Sequence, residues 1–307
     1  MNLKRLEFTL TTKCNSRCIH CQANVSASKK DVMNVKDAYN YLNEAISVSR
    51  LESFMVFGGE PMLYPNLAIA IFEKANQLRI PRIDMITNGF WGKDKNHAEK
   101  LAVKLKNAGL NVMSISIDAF HQQHIPLGHP RNAALASVNA RIENISWNVT
   151  VVEDIDAENE YDKRTKQVLK ELEPVGIEVH IHKIIPVGRA ARNLRKYLQQ
   201  ESLSGPCAGD SFLGSGLTNP DCITIEPSGE VDVCWHLSIG NAKKEALSKI
   251  ISLYDWQKDI VIKTLVQEGP TGLLKLPEAK NLRFHEKQYV SKCQFCMEIR
   301  KNLCQSF

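Results

Sequence analysis

Long apolar runs are missing from this chain of 307 residues, and so is any stretch able to span a bilayer. The opening MNLKRLEFTL turns polar at once, which excludes a secretory signal and makes a cytoplasmic location the expectation. No block of Lys and Arg with interleaved aromatics occurs. The net charge of +5, from 39 basic against 34 acidic residues, is scattered and gives no nucleic-acid footprint. Internal repeats and low-complexity tracts are absent too. Cysteine is absent from residues 22 to 206, yet the whole sequence holds nine. Cysteines used as core filler would be spread more evenly, and thiols in a reducing compartment do not form a disulfide framework. Three sit at Cys14, Cys18 and Cys21; the others are Cys207, Cys222, Cys234, Cys293, Cys296 and Cys304. Two separate metal sites are the expectation.

What is present is an ordinary globular composition, 43% hydrophobic and 24% charged, with length enough for a large core. Short β-branched runs alternate with stretches of helical period over the first two-thirds. Strands are expected at 6–12, 53–59, 82–89, 111–118, 146–153 and 178–186, with helices near 36–50, 65–78, 95–108, 131–142, 162–173 and 190–199. Strand–helix alternation at this spacing predicts parallel βαβ units. Six units make a partial barrel or an open sheet rather than the eight of a full TIM barrel. After residue 200 an irregular Gly/Ser/Pro segment leads to a hairpin over 222–235 about Pro227-Ser228-Gly229, a helical stretch near 243–267, and a short terminal helix opened by Cys293 and Cys296. The expected division is therefore 1–200, an α/β partial (β/α)6 barrel, and 201–307, a small α+β domain with a β-hairpin.

KCNSRCIHC at 13–21 spaces its thiols C-x3-C-x2-C on the loop after the first strand. Structural zinc wants four ligands, so three thiolates suit an iron–sulfur centre that keeps one position for something else. Gly58-Gly59-Glu60-Pro61 follows the second strand. Paired glycines there let backbone approach a ligand closely. Together the two motifs resemble the radical SAM superfamily. The resemblance implies a [4Fe–4S] cluster on Cys14, Cys18 and Cys21 whose open iron chelates S-adenosyl-L-methionine, and a 5′-deoxyadenosyl radical that abstracts hydrogen from substrate. It implies cofactor contacts from Gly58, Gly59, Glu60 and Pro61, and from Asn88, Ser116, Asp118 and Arg189. It also implies a reductant such as flavodoxin or ferredoxin. All these motifs fall at or past the C-terminal ends of expected strands, where barrel enzymes build their sites.

The hairpin cysteine and Cys293-x2-Cys296 resemble the auxiliary-cluster domains called twitch or SPASM. That resemblance implies one auxiliary [4Fe–4S] cluster on Cys207, Cys234, Cys293 and Cys296, with Cys207 and Cys222 exchangeable in the assignment; four thiolates alone suit zinc as well. Pairing about the turn sets Ile225 opposite Val231 and Cys222 opposite Cys234, so an unligated Cys222 is expected in the reaction space as a hydrogen-atom donor. Asp210 is a candidate acid–base group. The implied function is hydrogen abstraction from a ribosomally made peptide, leading to epimerisation or a cross-link. The alternatives are a sulfatase-maturase-like or small-molecule dehydrogenase passing an electron to the auxiliary cluster, and a non-enzymatic iron–sulfur carrier or scaffold. With the first strand at residue 6, leader recognition is expected from a partner or the barrel rim.

Overall fold

The computed structural model describes residues 1–23, 25–207, 216–280, 282–285 and 288–304. Six parallel strands come first: β1 (Arg5–Thr11), β2 (Ser53–Gly58), β3 (Arg82–Thr87), β4 (Val112–Ser116), β5 (Asn144–Val151) and β6 (Glu178–Lys183). Between them run α1 (Val35–Val48), α2 (Pro65–Gln77), α3 (Lys95–Asn107), α4 (Gly128–Asn139) and α5 (Glu160–Leu172), with α6 (Gly188–Asn193) after β6. The strands lie in the order 6-5-4-3-2-1, each paired in parallel with its sequence neighbour. This is an open, partial (β/α)6 barrel of the α/β class, its strands found where the short β-branched runs put them.

β1 shows why the interior is a chamber. Leu6, Phe8 and Leu10 alternate toward the helices, where Phe8 meets the rings of Phe54 and Tyr41 at 5.0 and 6.2 Å. The residues between them, Arg5, Glu7 and Thr9, point to the other face. α1 answers with Ala38, Tyr41, Leu42 and Ala45, a buried stripe at i, i+3, i+4 and i+7. Asn34, Asp94 and Asn159 cap α1, α3 and α5 by accepting from first-turn N–H groups. At the N-terminal ends of the strands, Arg5 bonds Glu7 at 2.6 Å, Asp84 at 2.9 Å and the Ser53 hydroxyl at 3.1 Å. That partly buried ion network closes the bottom of the barrel.

The hairpin forms with the expected register, Ile225 opposite Val231 and Thr224 opposite Asp232. Its first strand, β7 (Cys222–Ile225), also pairs in parallel with β1, Arg5 beside Cys222. β8 (Glu230–Asp232) and β9 (Ser238–Asn241) follow antiparallel, so one nine-stranded sheet runs from β6 to β9. The helical stretch expected over 243–267 divides into α7 (Leu247–Leu253) and α8 (Ile260–Gln267). Tyr254 turns extended after α7, and Asp259 starts a new helix by accepting from Val261 and Ile262 N–H. α9 (Lys292–Cys304) carries Cys293 and Cys296 in its first turns. No helix among the described residues is long and apolar enough to cross a membrane.

Candidate active site

At the C-terminal mouth of the barrel, Cys14, Cys18 and Cys21 line one cavity of about 220 Å³. Gly58, Gly59, Glu60, Asn88, Ser116 and Arg189 line it as well, as do Thr87, His20 and His121. Burial pushes the Cys14 thiol up to about 11 and raises Cys18 beyond the usual thiol range. Cys14 and Cys18, buried beside the partly exposed Cys21 around a shared void, are thiols that give up their protons on meeting a metal.

The loop's shape comes from contacts distant in sequence. A Cβ on Gly59 would stand 2.0 Å from the Lys13 carbonyl oxygen, so only glycine lets β2 and the cysteine loop touch. Gly188, at φ +57°, packs on the loop's other side, where a Cβ would meet the Gln22 oxygen at 2.2 Å. Glu60 is 1% exposed. Its carboxylate accepts from Met62 N and Thr87 Oγ1 at 3.0 and 2.7 Å, and from Asn88 N at 2.7 Å. Burial outweighs those donors and raises its pKa to about 7. Asn88 Nδ2 reaches the Asn15 side-chain oxygen at 2.8 Å, tying β3 to the cysteine loop.

Two expected cofactor contacts are also engaged in hydrogen bonds within the protein. Asp118 is fully buried below the cavity, accepting from Phe120 N and His121 N, from His121 Nδ1 at 2.9 Å and from Thr150 N. Burial alone would raise its pKa, but the charge and hydrogen bonds of His121 outweigh that and hold it at about 2. Asp118 therefore shapes the turn after β4, and His121 is the residue of the pair that faces the cavity. Arg189 lines the cavity but donates from Nε to Cys18 O at 2.9 Å and from Nη1 to Val25 O at 2.7 Å, clamping the loop. Pro61 opens the buried 3-10 turn Pro61–Leu63 and is not among the lining residues. Asp210 lies outside the described residues.

The cavity continues inward into a chamber of about 240 Å³ that shares Gln22, Phe57 and Trp235 with it. Trp235 also borders a third, small cavity lined by Cys207, Cys234, Cys293 and Cys296. The four expected auxiliary ligands thus meet, against Leu217, Leu237, Leu265 and Arg300, whose Nε lies 3.3 Å from Cys296 Sγ. Cys222 is not among them. It is 1% exposed and paired with Arg5, six residues before Thr11 and so roughly 20 Å below the cysteine loop at about 3.3 Å per residue. Its thiol sits beside Glu7 under the chamber floor. The pairing of Ile225 with Val231 was right, but the hairpin ladder stops at Thr224–Asp232 and does not reach Cys222 and Cys234; parallel pairing with β1 carries Cys222 to the closed end, which corrects its placement in the reaction space.

Sequence reading missed His20, Trp235 and the chamber's Glu226 and Asp232. The His20 ring stacks 4.6 Å from Phe120, its Nδ1 is buried with no partner, and burial lowers its pKa to about 4. Only its place between two motif cysteines could have flagged it.

An open parallel α/β barrel with a three-thiol cavity at its C-terminal mouth defines an enzyme class built on an iron–sulfur centre. The radical SAM superfamily model matches residues 8–188, well over half the chain, and the chain belongs to that superfamily. It is a radical SAM enzyme, which sets aside a passive carrier or scaffold. Over 121 residues it is 28% identical to a probable GTP 3′,8-cyclase of Methanocaldococcus jannaschii, covering 39% of this chain and 38% of that one. It is 22% identical over 195 residues to the putative peptide biosynthesis protein YydG of Bacillus subtilis, covering 63% and 58%. The chain thus spans less than two-thirds of these relatives. Among solved structures, native anSMEcpe with bound AdoMet matches at TM-score 0.55 and 15% identity, covering 99% of this chain and 96% of that one, a likeness of fold.

Proposed function

We propose that this enzyme abstracts hydrogen from a peptide and leaves it oxidised or cross-linked. The residues present fit the cofactors: three thiols, two of them buried, share a cavity with Gly58 and Gly59, and its lining offers Glu60, Asn88 and Ser116 as polar partners for S-adenosylmethionine. When bound, the cluster and S-adenosylmethionine supply a 5′-deoxyadenosyl radical. Arg189 holds the cysteine loop in place, and Gln22 and Phe57 border the passage from cavity to chamber. Cys207, Cys234, Cys293 and Cys296 would hold an auxiliary [4Fe–4S] cluster, which supplies a place for one electron.

The observation that carries the reading is Trp235, which borders both the three-thiol and the four-thiol cavities. A substrate in the chamber lies between a site of hydrogen abstraction and a site of electron acceptance. Epimerisation needs a hydrogen donor instead, and Cys222 lies under the floor. The name of the YydG relative supports a peptide as substrate. The test is anaerobic reconstitution with dithionite and S-adenosylmethionine in deuterated water, offering the product of any short reading frame beside the gene. The expected result is 5′-deoxyadenosine with a peptide lighter by two hydrogens. A peptide in which one carbon-bound hydrogen is replaced by deuterium, with no net loss, would mean epimerisation and overturn the reading.

A further inference from the structure

The chamber holds a second set of ligating groups. Glu226 follows β7, Asp232 ends β8, and His236 stands in the loop before β9. Their donor atoms all lie within 4.8 Å of one another, and all three side chains line the chamber wall. Asp232 is 6% exposed, and no described donor reaches its carboxylate within hydrogen-bonding distance. The nearest basic nitrogen is His236 Nδ1, 3.8 Å away. Glu226 receives one hydrogen bond, from Thr9 Oγ1 at 3.0 Å, which leaves its second oxygen for another partner. The neighbouring Arg300 does not fill the gap, because its guanidinium is spent on the carbonyls of Trp235 and His236 and on Cys296 Sγ. A buried carboxylate without a donor is costly, and either a proton or a bound cation relieves it.

We propose that Glu226, Asp232 and His236 bind one divalent first-row metal ion on the inner wall of the barrel. Two carboxylates and an imidazole are a hard-to-borderline donor set, suited to manganese(II) or iron(II), while thiolate is what selects zinc and clusters. Three protein ligands facing a void leave further coordination positions turned to the chamber. An oxygen-bearing group of the substrate, a carboxylate or a carbonyl, takes one of them and is thereby oriented in front of Trp235. The metal site stands on the ligands alone and does not depend on the substrate being a peptide.

Manganese(II) is the probe, because thiolates hold it poorly and the cysteine sites drop out of the count. The chain of 307 residues, with its clusters reconstituted anaerobically, is titrated with manganese chloride while electron paramagnetic resonance follows the free six-line signal. The wild type should remove one manganese per chain. Glu226→Gln and His236→Ala should each weaken that binding by at least about tenfold with iron content unchanged. If His236→Ala sheds iron, Glu226→Gln alone decides, since it keeps the side chain's shape. No tight manganese in the wild type overturns the proposal. Binding indifferent to Glu226→Gln means an adventitious ion only and overturns it equally.

Discussion

Arg189 and Cys18, 171 residues apart in sequence, are joined by a 2.9 Å hydrogen bond from the guanidinium Nε to the carbonyl oxygen. The same side chain reaches Val25 O, and the Arg189 N–H donates to Cys21 O at 3.0 Å. One residue after β6 thus fixes the loop after β1 at three points, and the sixth strand of the barrel positions the thiols carried by the first. Arg189→Gln should leave two buried carbonyls without their donor, at a cost of roughly 2–4 kcal/mol. The expected outcome is a lower thermal midpoint and less iron bound at the three-thiol site, read by iron analysis in a variant that also lacks Cys293 and Cys296. Full iron retention there would assign Arg189 no part in holding the loop.

Gly59→Ala should be among the most damaging single-methyl changes in the chain. The added carbon would sit 2.0 Å from Lys13 O, and backbone must move to admit it. Gly128→Ala is the control, since nothing lies within 4 Å of the carbon it adds. Circular dichroism melts and S-adenosylmethionine binding should separate the two. Gly128→Ala should behave as wild type in both, and Gly59→Ala should lose binding and stability together.

Much of this was legible from the chain, for identifiable reasons. β1 through β6 announce themselves because short apolar or β-branched runs alternate with stretches of helical period, and the three thiols stand out by their spacing and by the family they resemble. The four residues of β7 have no such signature: CITI reads the same as a hairpin arm or as a parallel addition to β1. That ambiguity misplaced Cys222 by the length of a strand. Motif position also does not tell what a side chain bonds. Asp118 follows its strand as the motif demands, yet local N–H groups and His121 consume its carboxylate. Trp235 stands beside a recognised cysteine, but its role as a shared wall exists only once β8 has met the barrel.

Glu60 gives the site a pH signature. Burial raises its carboxyl from 4.5 to about 7. Between those values the unfolded chain has lost the proton that the folded chain keeps. Stability therefore falls as pH rises from about 4.5 to about 7 and is level beyond, a change of at most about 3.4 kcal/mol at 1.36 kcal/mol per unit. Glu60→Gln removes the titration. Denaturant melts of the cluster-free chain at pH 5 and pH 8 should show the wild type losing more stability across that range than the variant. Equal losses would place the Glu60 carboxyl at its ordinary value.

Cys207 and Cys222 are the two cysteines that spacing left exchangeable, and their positions make opposite predictions. Cys207 stands with Cys234, Cys293 and Cys296 around one cavity, its N–H held by Leu265 O at 2.8 Å. Cys222 is packed beside Glu7 against the Arg5 ion network, facing neither thiol cavity. A reconstituted wild type should carry about eight irons per chain, from two four-iron clusters. Cys207→Ala should retain about four, because three thiolates at the second site hold a cluster less tightly than four, while the three-thiol site is untouched. Cys222→Ala should keep about eight and lose only packing, at a cost on the order of 1 kcal/mol. It should also form 5′-deoxyadenosine at the wild-type rate, since no atom of Cys222 borders the cavity at the barrel mouth. If Cys222→Ala instead sheds about half the iron, the exchange between the two cysteines must be reversed, and β7 must leave β1 to bring its first residue up to α9.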